Sequence, residues 1–305
     1  MTTLPASLML QAAAEAAGDQ HYPQGALYVV ATPIGNLADI SLRAVHVLAL
    51  VDAIACEDTR HSAPLLRRLG LDKPLIALHQ HNERTAAAAV LERLARGERV
   101  ACISDAGTPA ISDPGAELVA AARAAGYRTV PIPGASSVIA ALSISGDAQG
   151  SAFLFVGFLP SRGKERANSI ERLAVERARA VVLEAPHRIE DLATGLARCA
   201  PERMVTLCRE LTKQFESVES MPAADLPAWL AADSNRQRGE FVVVLHALAA
   251  PSGPEAAEAT AGSDDKTLRA LLAALPLKQA VAVAAELTGT ARNALYARAL
   301  ELKER

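Results

Sequence analysis

Ser104-Asp105-Ala106-Gly107-Thr108-Pro109-Ala110-Ile111-Ser112-Asp113-Pro114-Gly115 follows the apolar run Val100-Ala101-Cys102-Ile103 and precedes an Ala-rich segment with helical spacing. The pattern predicts a strand, a turn of small residues and a helix start. At a strand carboxyl end in an open α/β sheet, glycine and alanine let the backbone approach a ligand, and the following helix offers free N–H groups. The stretch therefore marks a ligand cleft, with Asp113 expected to bond its own backbone and cap the next helix.

Outward from this loop the same rhythm repeats. Strand-like runs at 26–31, 53–56, 74–78, 99–103 and 128–132 alternate with longer Ala/Leu/Arg segments, which predicts a largely parallel sheet covered on both faces. A second series, with strands at 153–158, 180–183, 204–208 and 240–245, begins after Gly146-Asp147-Ala148-Gln149-Gly150. The fold expected is two α/β domains with a cleft between them, at 25–148 and 149–247, preceded by a flexible tail over 1–24. An acidic Ala/Pro linker follows at 248–266, then a small helical module at 267–305 in a helix-turn-helix outline broken at Thr288-Gly289-Thr290. That module holds six basic residues against three acids, which suits equally a nucleic-acid-docking unit and a packed helical hairpin.

With 50% hydrophobic residues, the chain of 305 residues can bury a large core. Its net charge of −3 provides no global field for a polyanion, so any such partner must meet a local patch. One is the basic run from Arg162 to Arg179, whose cations are expected on exposed helix faces. Cys56, Cys102, Cys199 and Cys208 lie singly, without zinc or disulfide spacing, and read as buried thiols in a reducing cytoplasm. No Lys or Arg precedes the weak apolar stretch near the amino terminus, and no run approaches a membrane span, so a soluble protein without a signal peptide is expected.

Further polar groups gather at other strand ends. The first strand runs into Thr32-Pro33-Ile34-Gly35-Asn36, and no dinucleotide fingerprint or phosphate loop occurs anywhere. The second ends in Glu57-Asp58-Thr59-Arg60-His61, crowded beyond what a bland loop needs, although Asp58 or Thr59 also suits a helix cap. Pro133-Gly134-Ala135-Ser136-Ser137-Val138 offers hydroxyls at a helix start, with Ser136 a natural cap. In the second half stand Glu184-Ala185-Pro186-His187-Arg188, Arg209-Glu210-Leu211-Thr212-Lys213 and Gly239-Glu240. Lys213 serves as a base only where its pKa is lowered, and otherwise contacts phosphate.

In order and spacing these motifs resemble the small-subunit ribosomal RNA methyltransferase I family, within the tetrapyrrole-methylase superfamily, over roughly 26–246 and more weakly from 267. The resemblance implies a homodimeric, cytoplasmic enzyme that holds S-adenosylmethionine in its cleft. Its reaction would be 2′-O-methylation of a cytidine ribose in the decoding region of 16S rRNA in the small ribosomal subunit, without a metal. By position, the implied cofactor contacts are Pro33 and Ile34; Asp105, Ala106, Gly107 and Thr108; Ser136, Ser137 and Val138; and Leu183, Glu184 and Glu240. A ribose hydroxyl needs alignment and one proton acceptor. The candidates are Glu57, Asp58, His187, Glu210 and Lys213, with the Glu57/Asp58 and Glu210/Lys213 clusters favoured and Arg60 and Arg188 holding substrate phosphate. C-methylation of a tetrapyrrole precursor and non-catalytic metabolite binding are the alternatives, and metal-dependent hydrolysis lacks ligand spacing.

Overall fold

A computed structural model of the chain describes residues 5–249, 267–288 and 290–303. Residues 1–247 and 248–305 form two units, each described by itself.

The first unit contains two five-stranded sheets. In the first, β1 (Ala26–Val30), β2 (Ala53–Cys56), β3 (Leu75–Ala77), β4 (Val100–Ile103) and β5 (Arg128–Ile132) are all parallel, in the order β3-β2-β4-β1-β5. Alternation sends neighbouring residues to opposite faces. Tyr28 and Ile54 meet α2 (Leu42–Leu50) and α3 (Thr59–Arg68) in one core, while Leu27 and Ala55 meet α4 (Glu83–Ala95) and α5 (Ala116–Ala124) in another. Pro131 is tolerated because β5 is an edge strand and needs fewer ladder donors.

The amino-terminal segment departs from the flexible tail expected. Residues Ala6–Ala17 form a helix, α1, with Ala13 and Ala17 buried and Met9 and Leu10 packed on the first core. Twelve residues make a marginal helix alone, and its apolar face is stabilised by burial against the sheet-covering layer. Tyr22 Oη donates to the Ala17 carbonyl at 3.0 Å, fastening the exit from the helix.

The second sheet is mixed, in the order β6-β7-β10-β8-β9: β6 (Phe153–Phe158), β7 (Arg179–Glu184), β8 (Met204–Arg209), β9 (Ser217–Pro222) and β10 (Phe241–Leu245). Only the β6/β7 pair is parallel. Strand β9 was absent from the sequence-based expectation, because Ser217-Val218-Glu219-Ser220-Met221-Pro222 lacks an apolar run and is held as an edge by its antiparallel partner β8. Helices α7 (Gly163–Val175), α8 (Ile189–Cys199) and α9 (Leu226–Ala231) cover one face. The other face takes α6 (Ser137–Ile144), whose Val138 and Ala141 pack with Val181, Cys208 and Val242. Although α6 precedes residue 148, it thus completes the second sheet's core.

Asp147 closes this second layer. Its carboxylate accepts from the amides of Gln149 at 3.0 Å, Gly150 at 3.2 Å and Ala247 at 2.7 Å, joining the strand that enters the sheet to the one that leaves it. Burial works against the charge, but the three N–H donors prevail and hold the carboxyl below its usual range. A carboxylate with a depressed folded pKa stabilises the fold above the unfolded value of about 3.9 and loses that contribution as pH falls through the folded value. Asp147→Ala is expected to destabilise by about 1–3 kcal/mol at pH 7, with the gap between wild-type and variant denaturation midpoints closing in acid.

In the second unit, a helical stretch over 267–272 precedes α10 (Leu277–Thr288) and α11 (Arg292–Lys303), whose Leu268, Val281, Ala284, Leu295 and Ala299 form one core. Most of the linker expected at 248–266 lies outside the described residues, as does Gly289. No helix among the described residues is long and apolar enough to cross a membrane. Cys56, Cys102 and Cys208 are buried free thiols, with burial pushing Cys102 and Cys208 up to about 12, whereas Cys199 is half-buried.

Candidate active site

Strand order decides which loops meet. Because β1 lies between β4 and β5, the turns leaving these three strands are neighbours, and hydrogen bonds lace them together. Thr32 and Gly107 exchange backbone bonds at 2.9 and 3.1 Å, and Thr32 Oγ1 donates to the Ser104 carbonyl at 3.1 Å. Thr108 Oγ1 donates to the Ala135 carbonyl at 3.2 Å, and Ser136 caps α6. Gly107 has φ +85°, and a Cβ there would sit 3.3 Å from Ile34 Cγ2.

These turns face the second sheet across a cavity of about 450 Å³. One wall is Ile34, Ala106, Gly107, Thr108, Ser136, Ser137 and Val138, and the other includes Leu183, Glu184 and Glu240, all of them among the contacts that the family resemblance implies. Pro33 and Asp105 belong to the same turns but do not line it. Ile111, Ser112 and Asp113, part of the stretch read as a ligand cleft, also line it, as do Phe155 and Phe158, none of the five named among the expected contacts. A register shift between Phe155 and Gly157 bulges β6 and re-aims these aromatic rings, a change that periodicity does not reveal.

Asp113 departs from its expected capping role. The first amides of α5 are taken instead by Glu83 Oε1, at 2.7 Å from Gly115 N and 3.1 Å from Glu117 N. Asp113 faces the cavity, and its burial, with Asp105 nearby, pushes its carboxyl upward.

The Glu57–His61 loop lies beside the Asp105 turn because β2 pairs with β4. Asp105 accepts from the Asp58 amide at 3.3 Å and lies 3.1 Å from His61 Nδ1. Asp58 caps α3, and Arg60, fully exposed beside it, holds its carboxyl down at about 2. Glu57 behaves oppositely: burial, reinforced by Asp113, Asp105 and Asp58, pushes its carboxyl up.

At the far wall, Lys213 Nζ lies 2.9 Å from Glu210 Oε1 and 3.0 Å from Glu240 Oε2. Burial disfavours its charge, yet the two carboxylates outweigh that and raise its pKa, which favours the charged form of Lys213. Burial likewise raises Glu210, but Lys213 outweighs it and leaves the carboxyl below its usual range. Glu210 and Thr212 have φ of +53° and +67°, rare for residues with side chains. This strained turn sits on the first loop, where a Cβ on Gly35 would come within 2.5 Å of Lys213 Cγ.

Glu184 lines the cavity while its carboxylate is wholly buried between Arg166, at 2.8 Å, and Arg188, also at 2.8 Å. Arg166 is therefore not on an exposed face as its place in the basic run suggested. His187 and Arg188 face away from the cavity into a separate groove. No cluster of three His, Cys, Asp or Glu side chains among the described residues is arranged to hold a metal.

Two sheets meeting at strand ends around one such cavity define a class, the tetrapyrrole (corrin/porphyrin) methylases, whose family model matches residues 26–227. Two solved structures share the fold: uroporphyrin-III-C-methyltransferase from Thermus thermophilus (TM-score 0.52, 22% identity, 72% of this chain and 94% of that one) and the methyltransferase CobJ (TM-score 0.56, 19% identity, 76% and 98%). Residues 256–303 match the RsmI C-terminal HTH domain. Ribosomal RNA small subunit methyltransferase I of Pseudomonas aeruginosa is 49% identical over 91% of this chain and 97% of that protein, and its Escherichia coli O157:H7 counterpart is 45% identical over 91% and 96%. The chain belongs to the ribosomal RNA small subunit methyltransferase I family.

Proposed function

We propose that the protein methylates the 2′-hydroxyl of a cytidine in the decoding region of 16S rRNA, using S-adenosylmethionine. The observation that carries this reading is the cavity itself, in a chain whose relatives bear a ribosomal RNA methyltransferase name. Its volume is in the range of small-molecule sites. Its walls combine apolar rings, the hydroxyls of Ser136 and Ser137, and the carboxylate of Glu240, a donor set that fits a nucleoside carrying an amino acid. When bound, S-adenosylmethionine supplies a methyl group on a cationic sulfur. The chain then orients the acceptor and receives its proton, and Glu57 is the proton acceptor we assign. Arg60, exposed beside Asp58, is assigned to substrate phosphate.

Gly107 is the backbone position on which the cofactor assignment depends most. Valine there meets both an unfavourable φ and Ile34. Strain of roughly 1–2 kcal/mol and displacement of the turn are expected to weaken S-adenosylmethionine binding about 10- to 100-fold, measured by calorimetry, while the melting profile keeps its shape.

We further propose a homodimer in the cytoplasm. Exposed Ile139 and Ile144 on α6, and Phe153 and Leu154 on the edge strand β6, are apolar surface of the kind that a second copy covers. The helical second unit, matched by a helix-turn-helix model, is assigned to RNA. Nucleoside analysis of rRNA labelled from methyl-tritiated S-adenosylmethionine tests the reaction: 2′-O-methylcytidine, in an alkali-resistant dinucleotide, is expected, and a base-methylated nucleoside contradicts it.

A further inference from the structure

The five residues Glu184–Arg188 divide between two hollows. Glu184, Ala185 and Pro186 line the cavity described above, whereas His187 and Arg188 line a groove of about 600 Å³ between α7 and α8, reaching from the start of α7 to Arg198 in the last turn of α8. Four guanidiniums border it: Arg162, Arg166, Arg188 and Arg198. The acids that meet them are Glu184, buried behind the wall, and Asp191, so the groove keeps an excess of two positive charges.

The four differ in how far they are committed. Arg166 is buried, donating to Asp191, Glu184 and the Pro160 and Arg188 carbonyls, and Arg188 pairs with Glu184. Arg162 and Arg198 are exposed, and neither side chain has a hydrogen-bond or ion-pair partner among the described residues. Two free guanidiniums on a rigid frame of paired ones suit an acceptor with oxygens on several sides, which is the chemistry of phosphate. The first turn of α7 opens here without a side-chain cap and adds unpaired amides.

We propose that this groove binds the phosphodiester backbone of the RNA substrate next to the methylated nucleotide, with Arg162 and Arg198 as the phosphate contacts. Pro186 on the cavity's wall and His187 on the groove's are consecutive, and the whole stretch from Glu184 to Arg188 spans at most about 14 Å. An RNA strand with its ribose at the cavity crosses that distance in a few nucleotides. The proposal rests on the rRNA reading above and gives that substrate a path over the surface.

Arg162→Ala/Arg198→Ala is the test, read by binding of the full chain to a 16S rRNA fragment over a salt series. Loss of two contacts to single-stranded RNA makes the slope of log K against log salt shallower by about 1.4. Affinity at low salt should fall about tenfold or more, with S-adenosylmethionine affinity unchanged. Arg162→Lys/Arg198→Lys, which keeps the charges, should restore most of the slope. An unchanged slope in the double alanine variant, with wild-type protein still methylating rRNA, overturns the groove alone. Absence of rRNA methylation by the wild type overturns the functional reading and this proposal with it.

Discussion

Glu57→Gln is expected to lower kcat for methyl transfer by about 10²- to 10⁴-fold, the usual worth of a positioned general base, while leaving S-adenosylmethionine affinity within about twofold of wild type. The candidates around the cavity separate by environment. Asp58 is committed as the cap of α3 and held at about 2 by Arg60. Glu210 is held down by Lys213, and Lys213 is a cation between two carboxylates. His187 lines the groove on the other side of Pro186. Glu57 alone among them combines a carboxylate with a raised pKa, caused by burial and then by Asp113, Asp105 and Asp58. Asp113 in turn faces the cavity. A base must be deprotonated to act, so turnover should rise with pH through the folded pKa of Glu57, above the ordinary glutamate range, and fall in acid. In Glu57→Gln this limb of the pH profile should vanish. Undiminished turnover in the variant would transfer the role elsewhere.

Arg166→Met is expected to cost about 3–5 kcal/mol of stability, because it strands a buried carboxylate and three of its own hydrogen-bonding partners. Glu184 has no exposed side-chain area, and its two cations sit at 2.8 Å on either side. Removing one leaves Arg188 to compensate alone, and also frees the Pro160 and Arg188 carbonyls that Arg166 serves at 3.2 Å each. Since Glu184 also borders the cavity, cofactor affinity should fall together with stability. Adding Glu184→Gln in the same chain removes the stranded charge and should recover part of the loss, giving a coupling of about 1–3 kcal/mol in the double-mutant cycle. Denaturant midpoints of the four proteins measure it. A single variant as stable as wild type would show that the ion pair contributes no net stability.

The strands were legible where apolar β-branched runs meet turn residues. Ala53–Cys56, Arg128–Ile132 and Phe153–Phe158 lie within the boundaries read from the sequence, and so do most of the residues along the cavity's near wall. What escaped is what another part of the chain decides. β9 is a strand only because β8 offers a partner, and α1 is fixed only by the core beneath it. Asp113 is freed from capping by Glu83, some thirty residues earlier. Arg166 and Arg203 look like surface cations in one dimension. In three, the first neutralises Glu184, and the second donates to the carbonyls of His246, Leu173 and Ala178. Charge patterns along a helix do not show which face a buried carboxylate will meet.

This fold, shared with a uroporphyrin-III-C-methyltransferase, is here assigned to ribosomal RNA. Transfer of labelled methyl from S-adenosylmethionine tests that assignment most directly, with small ribosomal subunits lacking the native modification and a tetrapyrrole precursor as parallel acceptors. Label in 16S rRNA, confined to one ribose and absent from the tetrapyrrole, is the expected result. Label in the tetrapyrrole with none in rRNA would overturn the assignment to ribosomal RNA.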